Sequence, residues 1–405
     1  PLMSATYDPR DAGTRRDPYP CYSRLRAAGR VQRNELLSMW MFPHHKEVSA
    51  LLKEPRLSSE RSEAVMVRTP GYGPAQNPVR DLISRWMLFQ DPPSHGRLRT
   101  LVSKAFTPRF VEELRPRIEA LCREVLDRAQ EAGSLDVIQD LANPLPFEVI
   151  AAMLGIPPGE RVHLREWSDG LAQLLGSLRP TAAQGEEARR CVEELGRYLT
   201  EIVGARRGAP GADLIGQLVA AEEAGGRLSA AEVRATCALL FLAGHETTTN
   251  LIGNGVISLL RNPEALAELR ANPALTEGAI EELLRFDSPV QMLTRVCREP
   301  FEIEGVSVEA GQGVLLLLGS AHRDPEAYAE PDRLQVARPN VRHLAFGRGV
   351  HFCLGAALAR LEADVVFRQL LDRFPSWEPR ADLSQLDWRP DLGFRGVRSL
   401  PLSVR

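Results

Sequence analysis

Apolar residues recur at three- and four-residue intervals through most of this chain, the spacing of helices that bury one face. Residues 108–133, PRFVEELRPRIEALCREVLDRAQEAG, predict one such helix, with Gly133 placed to stop it. Residues 229–263 predict a longer one. Ser229 and Glu232 form a capping-box start and Asn262-Pro263 a stop. About 30 helical residues span ~45 Å, enough to cross a whole domain. The middle of this segment is apolar on every side, so the helix should be buried. Further helices are predicted over 263–272, 276–286 and 354–374. Strand patterns are fewer. RVQRNEL with SMWMF is one candidate near the start, and 294–321, with alternation and turn glycines, is the clearest. The tail 388–404 reads as a last hairpin. Residues 66–79, rich in Pro and Gly, read as a long loop, and such loops are more often functional than short ones. Together these elements predict a mainly α fold with a small β region.

Composition narrows the class. The chain has 405 residues, 44% hydrophobic and 25% charged, ordinary globular material with enough length for a sizeable core. A net charge of −3 gives no basic excess toward nucleic acid. No apolar run approaches the ~20 residues that cross a bilayer. The start, PLMSATYDPRD, is polar and lacks a secretory pattern, and Pro1 and Leu2 ahead of Met3 are expected to be a cloning remnant. The six cysteines are scattered singly with no Cys-x-x-Cys pair, which fits a reducing cytoplasm.

The densest candidate chemistry lies in FGRGVHFCLG, Phe346 to Gly355. A thiolate at a helix N-terminus is stabilised by backbone N–H groups and the helix dipole, and Cys353 directly precedes the helical pattern 354–374. Gly347 and Gly349 permit backbone angles that other residues resist, and Gly355 permits close approach. Three readings are open for Cys353: a buried thiol of the ordinary kind, a zinc ligand with His343 and His351, and an iron-bound thiolate on a haem. The zinc spacing lacks the usual close ligand pairs. A second unusual stretch is AGHETTTN in the long helix, where Gly244 and three threonines are mildly unfavourable. Its bare readings are a buried helix with satisfied hydroxyls or a helix distorted for a purpose.

FGRGVHFCLG resembles the haem-binding loop of the cytochrome P-450 monooxygenases, Phe-Gly-x-Gly-x-His-x-Cys-x-Gly, at every specified position. Other segments match in the family's order: HGRLR at 95–99, LAGHETT at 242–248, and the Glu-x-x-Arg pair Glu282 and Arg285. The resemblance runs from DPYPCYSRLR to the final hairpin. It implies a single cytochrome P-450 domain over 1–405, with haem b (iron protoporphyrin IX) buried between the long central helix and the cysteine loop.

Roles follow from the same resemblance. Cys353 would be the iron ligand, and Phe346, Gly347 and Gly355 would shape its loop. His95, Arg99, Arg295 and His351 would hold the haem propionates. Ala243 and Gly244 would lie where dioxygen sits, with Glu246 and Thr247 as the acid–alcohol pair that delivers protons. Arg338 would join Glu282 and Arg285 in a structural ion network. AHRDP at 321–325 departs from the family's commoner Ala-Asn-Arg-Asp, which puts a local hydrogen bond in question at His322. The substrate pocket would draw on the loop 65–89, on LAQLLGSL at 171–178, and on Leu239, Leu240, Ala243, Val290, Met292, Leu293 and Phe394. This mostly apolar set favours an apolar or neutral organic substrate.

The implied activity is insertion of one oxygen atom from dioxygen, by hydroxylation or epoxidation. Electrons would come from NAD(P)H through ferredoxin and ferredoxin reductase, because the chain carries no flavin or iron–sulfur segment. The enzyme is expected to be a cytoplasmic monomer. A peroxygenase using hydrogen peroxide is a rival enzyme, and a non-catalytic haem sensor or ligand carrier is a rival of another class.

Overall fold

The computed structural model describes residues 7–60, 77–176, 181–208, 211, 213–223, 228–391 and 393–405. They gather into two compact units. One comprises 1–57, 114–145 and 247–405; the other comprises 58–113 and 146–246.

The first unit holds the strands. In its main sheet the order is Gln32–Asn34, Met39–Phe42, Gly313–Leu316, Leu293–Cys297 and Leu57–Ser58. Met39–Phe42 runs parallel to Gly313–Leu316, and Leu293–Cys297 lies antiparallel on the other side. The run GVLLLL is apolar throughout because both faces of the sheet are covered. Val314 and Leu316 pack with Phe42, Leu51 and Leu344 on one face. Leu315 and Leu317 pack with Tyr22, Leu25 and Met41 on the other. Each such side chain contributes about 1.5–3 kcal/mol when fully buried.

Two expected elements differ. The helix expected over 108–133 is two helices, Pro108–Glu112 and Arg115–Ala132. Pro116 explains the break: it has no N–H to give, and its ring excludes the carbonyl four residues back. The tail folds back on itself only briefly, at an antiparallel bridge from Trp388 to Val397 flanked by Arg389 N on Gly396 O at 2.9 Å and Arg398 N on Asp387 O at 3.0 Å among the described residues. Its last strand, Pro401–Val404, leaves to lie between Ser134–Asp136 and Trp377–Pro379.

The ion network forms as expected. Arg285 bonds Glu282 twice at 2.7 Å, and Arg338 Nε lies 3.0 Å from both Glu282 oxygens. Arg285 also donates to the carbonyls of His322 and Pro331, so no charge is left unsatisfied. On a surface such a pair is worth a few tenths of a kcal/mol; buried, loss of one partner strands a charge at several times that cost. His322 Nε2 accepts from Leu344 N at 2.8 Å. Burial pushes its pKa well down, so the ring stays neutral and tethers the entrance to the cysteine loop.

The second unit is helical, with Ser94–Ala105, Arg161–Gly176 and Ala182–Gly208 among its elements. It includes the first half of the long helix, which runs Ala230–Arg261 without interruption. The expected capping box is present: Ser229 N donates to Glu232 at 2.8 Å and Glu232 N donates to Ser229 Oγ at 3.2 Å. Ser229→Ala is expected to cost about 1 kcal/mol. Chemical denaturation reads this, and an unchanged midpoint would show that the cap adds no stability.

Candidate active site

Cys353 is exposed, while Cys21, Cys122, Cys191, Cys237 and Cys297 are buried. The buried thiols are poor nucleophiles and ligands; burial pushes Cys122 and Cys237 up to about 12. The loop around Cys353 is held by its own backbone. Cys353 N donates to Phe346 O at 2.8 Å, and Gly347 N to Leu344 O at 2.8 Å. Gly347 (φ 68°) and Gly349 (φ 70°) take the left-handed angles this turn demands. A helical turn Gly349–His351 follows, and the helix Ala356–Arg373 starts after its N-cap Gly355. The sulfur therefore stands at the positive end of an 18-residue helix.

Among the described residues, five large apolar side chains are exposed, and two of them, Val350 and Phe352, lie within three residues of Cys353. An exposed apolar rim around a thiol fits a flat, largely apolar ring carrying a soft-ligand metal. It does not fit a closed zinc site, which needs several converging donors. His343, the zinc candidate, is engaged elsewhere: Nε2 lies 3.1 Å from Glu281, and Nδ1 accepts from Ala345 N at 3.1 Å. His351 sits half-buried in the turn before the sulfur.

The expected site residues divide between the units. With Cys353 in the first unit are Arg295, Val290, Met292, Leu293 and Phe394. Arg295 is buried in its strand opposite Val314 and gives one N–H to Thr294 O at 2.8 Å. Val290 and Phe394, distant in sequence, are bridged, with Gln291 N on Gly393 O at 2.8 Å. The Phe394 turn is anchored by Arg395, which bonds Asp287 at 2.7 Å and stacks 3.6 Å over Trp388. Leu293, the first residue of its strand, packs against the cluster that holds Phe42 and Leu316. The Met292 sulfur accepts from Tyr7 in the cluster with Tyr22 and Leu315, so packing accounts for it.

The second unit holds His95, Arg99, Leu239, Leu240, Ala243, Gly244 and Glu246. His95 and Arg99 lie one turn apart on the helix Ser94–Ala105. His95 is buried, and burial, then the Arg99 cation, pulls its pKa down. Asp91 holds the start of this segment by accepting from Ser58 Oγ and Ser59 N. In the long helix, Leu239, Leu240, His245 and Thr248 are buried, whereas Ala243 is exposed and Glu246 and Thr247 are half-buried. Positions i, i+3 and i+4 share a helix face, so one accessible stripe carries all three. A Cβ on Gly244 would come within 3.2 Å of Ile150, so close helix packing suffices to explain that glycine. His245 turns away, with Nδ1 3.0 Å from Phe241 O and its ring edge-on to Phe147. Of the expected pocket segments, 65–76 and 177–178 lie outside the described residues; Leu171 and Leu174 are buried.

Two features were not anticipated. Glu362 is fully buried beside Thr248, and burial raises its carboxyl to about 8, with the hydroxyl offsetting part of the rise. Glu281 accepts from both His343 and Arg360 near the cysteine loop. No local pattern marks either one, because each depends on contacts far apart in sequence.

A family model described as Cytochrome P450 matches residues 81–390. The cytochrome P450 monooxygenase PikC of Streptomyces venezuelae is 39% identical over 96% of this chain and 91% of its own length. The 6-deoxyerythronolide B hydroxylase of Saccharopolyspora erythraea is 36% identical over 96% of both chains. The crystal structure of P450BioI with a hexadec-9Z-enoic acid-ligated acyl carrier protein superposes with a TM-score of 0.90 at 37% identity, covering 97% of this chain and all of that one.

Proposed function

Because the chain belongs to the cytochrome P450 family of haem b-dependent monooxygenases, we propose that Cys353 is its iron ligand and that it oxidises an apolar or neutral organic substrate with dioxygen. The observation that carries this reading is the exposed thiol at a helix N-terminus with an apolar rim. Haem, when bound, supplies dioxygen activation, and a thiolate ligand favours it by donating electron density. Phe346 would cover the sulfur side. His95, Arg99, Arg295 and His351 would bond the propionates. Glu246 and Thr247, adjacent on the accessible stripe with Ala243, would hold and move protons. The two compact units act as one P450 domain in this reading, in a cytoplasmic monomer. Electrons come from NAD(P)H through ferredoxin and its reductase.

Substrate class is the finer part of the proposal. Leu239, Leu240, Val290, Leu293 and Phe394 offer apolar contact. One relative is named for hydroxylating 6-deoxyerythronolide B, and one structural neighbour holds a long alkyl chain on a carrier protein. Both favour a bulky, weakly polar substrate that enters by hydrophobic burial. A screen of such compounds for ligand-induced Soret shifts tests this. Turnover of a hit with NADPH, ferredoxin, reductase and isotopically labelled dioxygen should place one labelled atom in the product. Turnover with hydrogen peroxide alone would favour the peroxygenase, and ligand shifts without turnover would favour the sensor.

The propionate contacts carry their own prediction. A charge-assisted hydrogen bond is worth about 1.5–3 kcal/mol. Arg99→Ala is therefore expected to weaken haem retention by roughly one to two decades, at about 1.4 kcal/mol per decade. Transfer of haem to apomyoglobin measures it, and wild-type retention would remove Arg99 from the set.

A further inference from the structure

The turn that carries Phe394 is held mainly by polar bonds. Gln291 N donates to Gly393 O and Arg395 N to Pro289 O, both at 2.8 Å. The long helix reaches the turn too, with Asn254 Nδ2 donating to Arg395 O at 2.9 Å. At Gly396 a Cβ would lie 1.9 Å from Asn250 Oδ1, so helix and turn meet too closely for a side chain there. Phe394 is half-buried, while Arg395, Gly396 and Val397 are buried.

One side chain ties this turn to the start of the chain. Arg395 Nε bonds Asp287 Oδ1 at 2.7 Å, and both side chains are almost wholly buried. Its two other nitrogens donate to the carbonyls of Arg15 and Arg16. Those residues end the short helix Ala12–Arg16, where the last carbonyls have no partner inside the helix. Tyr19 OH donates to the same Asp287 oxygen at 2.6 Å. A planar guanidinium serves three acceptors in fixed directions at once, which an ammonium on a flexible stem does not. Packing on that side of the turn is incomplete. A cavity of about 30 Å³ is lined by Tyr7, Pro9, Arg15, Tyr22, Trp388 and Phe394 among others. Atoms facing a void lose contact partners, so polar anchors rather than packing decide where the turn sits.

We propose that Arg395 is a positioning residue: it fixes Phe394 at the substrate pocket, and through it the N-terminal segment 7–16 helps to set which substrates fit. The inference rests on Phe394 lining that pocket. A buried ion pair would need only Asp287, yet the guanidinium also holds two carbonyls that lie 380 and 379 positions away in sequence. Phe394 directly precedes Arg395 and is bridged to Val290, so the backbone that carries its ring moves with the guanidinium.

The test is a Soret titration of haem-loaded protein with two iron-binding probes. Imidazole is small enough to reach the iron without filling the pocket, whereas N-dodecylimidazole must also lay its chain along the pocket wall. Arg395→Lys keeps the charge beside Asp287 but loses the fork. It should weaken dodecylimidazole about tenfold, the size of an ordinary coupling between contacting residues, and imidazole by less than about twofold. Phe394→Ala should weaken the long probe as well, and the double variant should lose little beyond Phe394→Ala alone, because both changes remove one contact. Equal weakening of both probes would show that Arg395 only supports the fold around the haem. Full additivity in the double variant would show that it acts elsewhere than through Phe394. Each overturns the proposal, as does an unchanged lysine variant. Should Arg395→Lys fail to retain haem, the paired variant Asp287→Asn, Arg395→Gln takes its place in the same titrations, since it strands no buried charge. Unchanged affinity of Phe394→Ala for the long probe would instead remove Phe394 from the pocket, and a wild-type Soret band that ignores imidazole would end the haem-iron assignment; the proposal falls with either.

Discussion

Cys353→His should eliminate oxygenase activity and the long-wavelength carbonyl band together. The argument is about ligand charge. A thiolate pushes electron density toward the iron, and a neutral imidazole does not. The helix beginning at Ala356 favours an anion two residues before its N-cap, and the exposed position keeps the sulfur available. The paired control is Cys122→Ala, whose thiol is buried in the helix Arg115–Ala132. It should lose some stability to a small cavity and keep the band. The ferrous carbonyl spectrum reads both variants, with turnover as a second measure. If the wild-type protein purified without haem and bound zinc instead, the iron-thiolate assignment would be wrong.

How far the sequence reached can be judged residue by residue. The long helix Ala230–Arg261 was legible at both ends, because a capping box and an Asn-Pro stop act within a turn of the boundary. The split at 113–114 was missed where periodicity was allowed to outweigh Pro116, although the proline's missing N–H is a local fact. The tail was read in part, its turn back at Trp388 and Val397 but not the course of its last strand, for a different reason. Pro401–Val404 has strand character, but its partners, Ser134–Asp136 and Trp377–Pro379, are set by the tertiary fold. Local pattern cannot choose among distant edges.

The candidate site divides along the same line. The cysteine turn was legible because its glycines, histidine and cysteine stand within ten residues. Arg338 was reached through the family resemblance, and it does bond Glu282. The Glu281–His343–Arg360 clamp was invisible, since its members are separated by 62 and 79 positions from Glu281. Met292 shows why apolar positions are harder to read. An apolar residue beside a pocket segment reads like a lining residue, yet its sulfur packs onto Tyr7. Apolar character is shared by cores and pockets, and only side-chain direction separates them.

The proton-relay residues give the second large expected effect, and it separates an oxygenase from a haem sensor. Thr247→Ala should leave haem content and ligand-induced spectral shifts nearly intact while diverting electrons from product to hydrogen peroxide, with coupling lowered severalfold. Glu246→Gln should slow dioxygen-dependent turnover by about 10²–10⁴, the usual worth of a positioned proton donor. Supplying hydrogen peroxide directly should weaken the Glu246→Gln defect, because that route needs less proton delivery. The structural basis is the accessible stripe in an otherwise buried helix: Ala243 is exposed and Glu246 and Thr247 are half-buried, while His245 and Thr248 on either side are buried. A half-buried glutamate between buried flanks suits proton exchange with solvent, and an adjacent hydroxyl can both donate and accept. Binding haem or ligand alone requires neither group. Coupling and rate are measured from NADPH consumed, peroxide released and product formed. Wild-type values in both variants would place proton delivery elsewhere or remove dioxygen activation from this chain's chemistry. A defect confined to Thr247→Ala would leave the hydroxyl in the relay and take Glu246 out of it.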